Sequence, residues 1–294
     1  MPALLPTTPD SLLPLVVKAM SRTPDPRLSQ LMASLTTHLH RFVLDNQVTE
    51  SEFEAAVDFL IGIGQATNDT KNEVILAADL LGVSTLVALL NNQDPHGHGT
   101  TQSALLGPFW RANSPVCEAG DNIARSPTGG TPLEIRGRVL DHNGRPLAGA
   151  VVDVWQSDPR GLYENQDPQQ ENMNLRGRFT TNDEGEYFVR TIQPAGYPVP
   201  TDGPCGDLLR AQDRHPYRPA HVHFMVSHPD YKVLVTQVFP SDAEHLESDP
   251  TFGVTASLVG EFRHENQNGQ PINTLQADFR LIPGPTVFPH PPIP

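Results

Sequence analysis

Apolar side chains recur at steps of three and four residues between positions 27 and 92. That spacing places them on one face of a helix. Thr49 with Glu52, and Thr70 with Glu73, form capping-box pairs that open two further helices, the last over Val74 to Leu90. The pattern therefore predicts three helices, ended by the breaker segment 91–99. The apolar positions of the first helix are Leu28, Leu31, Met32, Leu35, Leu39, Phe42 and Val43.

Beyond Gly107 the spacing of apolar residues no longer follows the helical period. Short apolar segments alternate instead with turn clusters at 141–144 and 182–185. Many short strands with turns at this spacing are typical of an antiparallel β-sandwich or barrel. The sequence thus predicts a mainly β protein, with an N-terminal α-helical domain at 1–100 and a β domain at 101–294. The predicted strands are Leu133–Val139, Gly149–Gln156, Tyr187–Ile192, Ala220–Ser227, Val233–Phe239 and Gln276–Ile282.

Composition narrows the classes of partner. The net charge is −14 and there is no basic run, so nucleic acid is not expected as a partner. No apolar stretch of about 18 residues is present, so we expect no membrane span. Residues 1–26 lack a basic start followed by an apolar stretch, so we expect no secretion signal. Cys117 and Cys205 form neither a disulfide framework nor a zinc-ribbon pattern, which favours a reduced cytoplasm.

One predicted strand carries a histidine pair. His221 and His223 stand two residues apart, so both side chains point to the same face and can converge on one metal. A nearby carboxylate would complete a ferrous site, and a third histidine would complete a zinc site. A second pair, His96 and His98, lies in a Pro- and Gly-flanked loop without strand character, so it is the weaker candidate.

Two tyrosines stand in distinctive loops, Tyr163 after Gly161-Leu162 and Tyr197 before Pro198. An unperturbed tyrosine has a pKa of about 10, so at neutral pH it binds only a strong Lewis acid that stabilises the phenolate. Ferric iron satisfies that requirement far better than zinc or ferrous iron. Spacing alone favours the simpler interpretation, in which both tyrosines are turn residues.

Several motifs carry a family resemblance that covers essentially the whole chain, and their order along the chain also matches. They are Leu106–Phe109, Ile135–Val139, Val152–Gln156, Phe179–Tyr187 and Arg214–His223. Together they resemble the intradiol ring-cleaving dioxygenases. The resemblance implies that the β domain is the catalytic domain and binds one Fe(III) per subunit. The implied ligands are Tyr163, Tyr197, His221 and His223.

The resemblance also implies how the reaction is divided among residues. A diol substrate chelates the iron, and the ring is cleaved between the two hydroxyls with entry of both atoms of O2. Tyr197 leaves the metal and serves as base, Arg218 stabilises the developing negative charge, and Gln237 assists from the next strand. The alternatives are a solvated arginine before a proline and an outward-facing glutamine.

Substrate choice is implied to lie with a helix and two loops that surround the iron. Asp79 stands three residues from Leu76 on one helical face, where it could bind a third hydroxyl; the alternative is a solvated surface aspartate. This aspartate and the run Tyr197–Pro204 look most like hydroxyquinol 1,2-dioxygenases, which cleave benzene-1,2,4-triol to maleylacetate. Catechol or chlorocatechols, giving cis,cis-muconates, are the alternatives. The implied pocket comprises Leu76, Asp79, Leu105, Leu106, Gly107, Pro108, Phe109, Val199, Pro200 and Arg218.

In this family the N-terminal helices join two subunits, and a phospholipid can lie in an apolar tunnel at that interface. The apolar face from Leu28 to Val43 fits a homodimer, but it would equally fit packing on the chain's own later helices. Two competing functions stay open at this point. One is a transthyretin-like binding module without iron, and the other is a zinc hydrolase using His221, His223 and either Asp230 or Asp153.

Overall fold

The fold is described by a computed structural model that covers residues 5–68, 71–93, 97, 99–267 and 269–292. The chain divides into two compact units, one ending at Ile61 and the other beginning at Gly62. In the first unit α1 spans Pro9–Met20 and α2 spans Pro26–Asn46, while α3 spans Glu50–Ala66 and crosses the division. Asp25 caps α2 by accepting hydrogen bonds from the backbone N–H groups of Arg27 (2.8 Å) and Leu28 (3.0 Å).

The helices follow the predicted pattern with two differences. The sequence pattern does not predict α1, whose periodicity is interrupted by Pro14. The single helix predicted from Val74 to Leu90 is wrong, because it is two helices, α4 (Glu73–Leu80) and α5 (Val83–Asn91), that meet at 78°. Gly82 makes that break with a φ of 70°, a conformation that an L side chain rarely adopts.

The start of α4 is fixed from two sides. Its N-cap is Asn72, whose Oδ1 accepts a hydrogen bond from the Ile75 N–H at 2.9 Å. Thr70, the predicted capping residue, lies outside the described residues. Glu73 is buried and accepts a hydrogen bond at 3.0 Å from the N–H of Cys205, in a short helix α6 (Pro204–Ala211) that the sequence pattern does not predict.

Two sheets form the β-sandwich that the sequence predicts. The first has the order β3 (Arg176–Thr180), β2 (Val151–Gln156), β7 (Val222–Ser227), β8 (Leu234–Pro240) and β9 (Val259–Gly260). In the second, β1 (Pro132–Leu140) pairs with β4 (Glu186–Ile192), β11 (Gln270–Gln276) and β12 (Phe279–Arg280), and β10 (Phe262–Gln267) pairs with β11. A separate two-stranded ribbon pairs β5 (Tyr197–Pro198) with β6 (Tyr217–Arg218).

Strand direction differs from the purely antiparallel prediction. Most pairs are antiparallel, but β1 runs parallel to β11 and β12, and β8 runs parallel to β9. Parallel neighbours require a long crossover connection, and more than 100 residues separate β1 from β11. Alternation does not predict β3 or β10, because both strands are rich in polar residues.

The inner faces of the two sheets make the main core. Val154 and Phe224 of the first sheet pack in one buried cluster with Leu133, Ile135 and Val189 of the second. Because side chains alternate along a strand, the residues between these core positions point to the other face of the first sheet. One cross-strand row on that face consists of Arg176, Trp155, His223 and Gln237, in this order across β3, β2, β7 and β8.

The helices α4 and α5 belong to the larger unit, so the division at Ile61 falls before the domain boundary predicted near residue 100. A physical reason is that side-chain hydrogen bonds connect the end of α4 to later parts of the chain. Arg214 donates from Nη1 to the Leu80 carbonyl (3.0 Å) and from Nη2 to the Pro250 carbonyl (2.6 Å). Among the described residues no single helix is long and apolar enough to cross a bilayer, and only the bent pair α4 and α5 reaches that length and apolarity together.

Candidate metal centre

Three segments of the larger unit bring the candidate ligands together. Tyr163 lies in the loop after β2, Tyr197 in β5, His221 immediately before β7, and His223 within β7. Tyr197 pairs with Arg218 across the β5–β6 ribbon. The two tyrosine loops approach closely at Gly161, where a Cβ atom would lie 2.8 Å from the Gly196 carbonyl oxygen. A side chain at Gly161 would therefore push the two tyrosines apart.

The four candidate side chains place their donor atoms in one buried cluster. The phenol oxygens of Tyr163 and Tyr197 are 3.4 Å apart, and the Tyr197 oxygen is 3.3 Å from His221 Nε2. His221 Nε2 and His223 Nε2 are 3.1 Å apart. Donor atoms bonded to one ion at about 2.1 Å, in tetrahedral or octahedral geometry, lie about 3.0 to 3.4 Å from one another. The observed separations fit a single shared ion.

The protonation of the histidines also suits a metal. Nδ1 of His221 lies 2.8 Å from the Pro219 carbonyl oxygen and so carries the proton, which leaves the Nε2 lone pair free. Burial and the nearby Arg218 lower the pKa of His221 to about 3. Burial and the neighbouring His221 lower the pKa of His223 well below its ordinary value. Two neutral imidazoles therefore stand with their Nε2 atoms 3.1 Å apart, an arrangement that a cation between them would stabilise.

The tyrosines require a stronger cation. Burial and the proximity of Tyr197 raise the pKa of Tyr163 well above its ordinary value, whereas Arg218 and Arg176 oppose that shift. Only a strong Lewis acid removes a proton from such a phenol at neutral pH. Two phenol oxygens with two imidazoles therefore suit ferric iron. Among the described residues no group of three or more His, Cys, Asp or Glu side chains is placed to hold a metal ion.

Aromatic packing holds the ligand side chains in place. Phe109 stacks on the ring of Tyr163, with centroids 4.4 Å apart. Trp155, the cross-strand neighbour of His223, stacks on that imidazole at 4.7 Å with the planes 11° apart. Both contacts restrict ring rotation, so the donor atoms are positioned before a metal binds.

Arg218 and Gln237 lie beside the four donors, buried rather than solvated. Arg218 Nη1 is 3.4 Å from His221 Nε2, and Arg218 Nη2 donates to Gln237 Oε1 at 3.1 Å. Gln237 Nε2 donates in turn to the Leu105 carbonyl at 2.6 Å. Both alternatives weighed on sequence grounds, a solvated arginine and an outward-facing glutamine, are therefore wrong.

A buried aspartate pairs with Arg218. Asp249 accepts from Arg218 Nε at 3.1 Å and from Nη2 at 3.2 Å. Burial acts against both charges, but the pairing keeps the pKa of Arg218 above its ordinary value and that of Asp249 below. Sequence reasoning missed Asp249, since it lies in an irregular loop between β8 and β9 with no motif around it.

A cavity of about 460 Å³ opens beside the donor cluster. Of the ten predicted pocket residues nine line it, and the exception, Leu106, packs against the aromatic cluster of Phe109 and Trp155 instead. Tyr197 is the one candidate ligand of the four on the cavity wall. Lining residues that the sequence did not predict are Lys71, Asn72, Glu73, Ile75, Asn165, Gln166, Pro198, Thr201, Asp202 and Thr251.

Asp79 faces this cavity and is only 6% exposed, so it is not a solvated surface aspartate. Burial raises its pKa to about 6, although a hydrogen bond with Ser84 and the charge of Arg218 both favour the carboxylate. The second histidine pair, His96 and His98, lies outside the described residues.

Comparison with known proteins assigns the family. Residues 105–283 match the family model described as Dioxygenase, and residues 25–99 match that described as Catechol dioxygenase N terminus. A hydroxyquinol 1,2-dioxygenase of Rhizobium sp. (strain MTP-10005) is 43% identical over 249 residues, covering 84% of this chain and 83% of that protein. A catechol 1,2-dioxygenase of Candida albicans (strain SC5314 / ATCC MYA-2876) is 41% identical over 240 residues, covering 81% and 78%.

Among solved structures, hydroxyquinol 1,2-dioxygenase from Pseudomonas putida DLL-E4 superposes with a TM-score of 0.87 at 37% identity. The match covers 94% of this chain and 99% of that one. The chain therefore belongs to the intradiol ring-cleaving dioxygenases. It is an enzyme of a family that uses iron, and the binding-module alternative is wrong.

Proposed function

We propose that Tyr163, Tyr197, His221 and His223 bind one ferric iron in each subunit, and that the enzyme cleaves hydroxyquinol to maleylacetate. The observation that carries the proposal is the convergence of these four donors within 3.1 to 3.4 Å of their neighbours beside the cavity. The relatives that act on hydroxyquinol and the buried carboxylate of Asp79 both favour the triol. Catechol is the second candidate, because one similar relative is a catechol 1,2-dioxygenase.

When bound, ferric iron supplies a Lewis acid that draws electron density from the chelated diol and makes the ring reactive toward dioxygen. The side chains of the protein perform the remaining tasks. Tyr197 reaches the cavity, so its phenolate oxygen accepts a hydroxyl proton from the substrate. Asp79 accepts a hydrogen bond from the third hydroxyl and so orients the ring.

Arg218 stabilises the negative charge that develops on the attacked ring carbon. It is 3% exposed and lines the cavity, so its guanidinium acts where water does not screen it. The carbon–carbon bond between the two hydroxyl-bearing carbons breaks, and both atoms of O2 enter the dicarboxylic product. The reaction balances without a further reactant, because hydroxyquinol plus one molecule of O2 has the same atoms as maleylacetic acid.

Oxygen uptake with hydroxyquinol, catechol and 4-chlorocatechol, with identification of the products, tests the reaction and its substrate. We expect hydroxyquinol to have the highest kcat/KM and maleylacetate to be its product. Cleavage outside the two hydroxyls would contradict the proposed reaction, and a preference for catechol would contradict the proposed substrate alone.

The iron ligands have a separate test. The iron-loaded protein is expected to be red to purple from tyrosinate-to-iron charge transfer, and Tyr163→Phe is expected to weaken that band and lower the iron content. Tyr231→Phe, a tyrosine outside the cluster, is the control. An unchanged spectrum and iron content in Tyr163→Phe would remove Tyr163 from the ligand set.

The helical region, residues 1–100, is proposed to form a homodimer and the β-sandwich, residues 101–294, to carry catalysis. Helix α2 supports the dimer, because Leu35, Leu39 and Phe42 are 53–60% exposed along one face. Leu35→Glu with Leu39→Glu should halve the mass measured by light scattering, and Arg41→Glu should not.

We further propose that a phospholipid lies at the dimer interface, which mass spectrometry of extracted lipid tests. We also propose a cytoplasmic location, which is in keeping with two free buried cysteines.

A further inference from the structure

The carboxylate of Asp249 holds one whole edge of the Arg218 guanidinium. Asp249 is 5% exposed and Arg218 is 3% exposed, and their side chains join through Nε to Oδ1 and Nη2 to Oδ2. Such a two-point contact fixes the plane of the guanidinium as well as its position. A single hydrogen bond would leave the group free to rotate.

Asp249 is itself unable to turn. Its oxygens accept hydrogen bonds from Thr251 N (3.2 Å), Thr251 Oγ1 (3.1 and 3.0 Å) and Gly253 N (2.9 Å). The intervening Pro250 carbonyl accepts a hydrogen bond from Arg214 at 2.6 Å. The loop therefore presents the carboxylate in one orientation, although it has no regular secondary structure of its own.

The contacts of Arg218 show which of its three guanidinium nitrogens faces the cluster of candidate metal ligands. A guanidinium has five N–H groups, one on Nε and two on each Nη. Asp249 takes the Nε hydrogen, and Asp249 with Gln237 takes both hydrogens of Nη2. Within the described part of the chain, the sole hydrogen-bonding neighbour of Nη1 is His221 Nε2 at 3.4 Å. Nη1 is therefore the nitrogen that faces the donor cluster.

We propose that Asp249 is a positioning residue for ring cleavage, which aims Nη1 of Arg218 at the ring carbon where negative charge develops. This inference rests on the proposed role of Arg218. Stabilisation by a fixed charge requires that the charge stand in place before the reaction, and a displacement of about 1 Å can cost about 100-fold in rate. Without Asp249, the guanidinium could rotate into the cavity.

The competing explanation is purely structural: Asp249 would only neutralise a buried arginine, and any carboxylate would serve. Asp249→Glu separates the two explanations, because it keeps the charge but displaces the carboxylate by about one bond length, 1.5 Å. Asp249→Asn removes the charge at constant shape. Asp141→Asn is the matched control, since Asp141 is a buried loop aspartate that accepts backbone hydrogen bonds from Asn143 and Arg145 away from the cavity.

The measurements on the iron-loaded enzyme are kcat from oxygen uptake, the Kd of hydroxyquinol from anaerobic titration of the visible band, the resting spectrum, the iron content and the melting temperature. We expect kcat to fall about 10- to 100-fold in both Asp249→Asn and Asp249→Glu. Because Asp249 acts only on Arg218, the Kd and the iron content should stay within about 2-fold of the wild-type values. For the same reason the resting visible spectrum should be unchanged. Normal turnover in a folded Asp249→Glu enzyme would overturn the proposal, even if Asp249→Asn did not fold.

A double-mutant cycle with Arg218→Met distinguishes this proposal from the proposed role of Arg218 itself. If Asp249 acts through Arg218, Arg218→Met with Asp249→Asn should turn over as slowly as Arg218→Met alone. Losses that multiply would overturn the positioning role. Full activity of Arg218→Met would overturn both roles, whereas impaired Arg218→Met with normal Asp249→Asn and Asp249→Glu would overturn the role of Asp249 alone.

Discussion

The two walls of the cavity are built in different ways. One wall, called the sheet wall here, is the β5–β6 ribbon, whose Tyr197 and Arg218 line the cavity, together with the first-sheet row of Trp155, His223 and Gln237, which meets the ribbon where Gln237 contacts Arg218. The other wall is formed by α4 and the irregular loop that contains Thr251. On the sheet wall, backbone register fixes each side chain relative to its neighbours, whereas the opposite wall is held by a few side-chain contacts. The enzyme thus places its chemistry on the wall whose geometry is harder to change.

This difference predicts separate consequences for substitutions on the two walls. Changes on the sheet wall should reduce turnover for every substrate, because they disturb the iron or the charge beside it. Changes on the helix wall should alter the relative rates of different rings while the iron site is retained, except at Asp249, which acts on Arg218 and should slow the cleavage of every ring. The following predictions test that separation.

The largest effect is expected for His223→Ala on the sheet wall. Even residues that only support a ligand change metal affinity by about 10- to 100-fold, so the loss of a ligand should exceed that range and leave activity below about 1%. Iron content and oxygen uptake should fall together for hydroxyquinol and catechol alike. His228→Ala, just beyond the end of the same strand, is the control; retained iron in His223→Ala would exclude this histidine as a ligand.

On the helix wall, Asp79→Leu should change the preference between substrates rather than the ability of the enzyme to cleave a ring. A buried carboxylate that binds the third hydroxyl contributes up to about 3 kcal/mol, so the ratio of kcat/KM for hydroxyquinol over catechol should fall by up to about 100-fold. The visible spectrum should stay unchanged. If the ratio does not move, Asp79 does not distinguish the two substrates.

Gln237→Leu should produce a smaller and uniform loss. Gln237 links Arg218 Nη2 to the Leu105 carbonyl, and a hydrogen bond to a charged group contributes about 1.5 kcal/mol, which corresponds to about 10-fold in kcat. The factor should be equal for the triol and for catechol. Gln276→Leu, at the end of β11, serves as the control, and a substrate-dependent loss in Gln237→Leu would show that the two walls are not separate.

The smallest effect is expected at the break between α4 and α5. Gly82→Ala forces an L side chain into a φ of 70° and should lower the free energy of unfolding by about 1 to 2 kcal/mol. Gly64→Ala, at a helical position with open space around its Cβ, should instead raise it by up to about 1 kcal/mol. Thermal unfolding of the two variants measures the contrast; equal shifts would indicate that the break carries no strain.

The sheet wall is also the part that the sequence predicts best. Alternation along the predicted strand Ala220–Ser227 is sufficient to place His223 opposite the core and Phe224 in it, and His221, just before β7, lies beside His223. The two tyrosines required family resemblance, because their loops have no period and their convergence depends on contacts such as that at Gly161. Their assignment as iron ligands stays a prediction.

The helix wall shows where sequence patterns stop being informative. The apolar spacing continues through Leu81 and Gly82, so it gives no sign that the helix turns by 78° there. Asp249 lies 31 residues from Arg218, and no local pattern connects them. Leu106 was assigned to the pocket with its neighbours, but its side chain packs behind Phe109. Long-range side-chain contacts decide these features, and a single sequence does not encode their pairing in any period.

Arg214 joins the two halves of the helix wall, since one guanidinium holds both the end of α4 at Leu80 and the loop at Pro250. Redesign of the enzyme for a differently substituted ring would therefore meet epistasis. Substitutions near Asp79 and near Thr251 share this support, so their effects on substrate preference should not add. Libraries that vary the helix and the loop together would reach new specificities that successive single changes would miss.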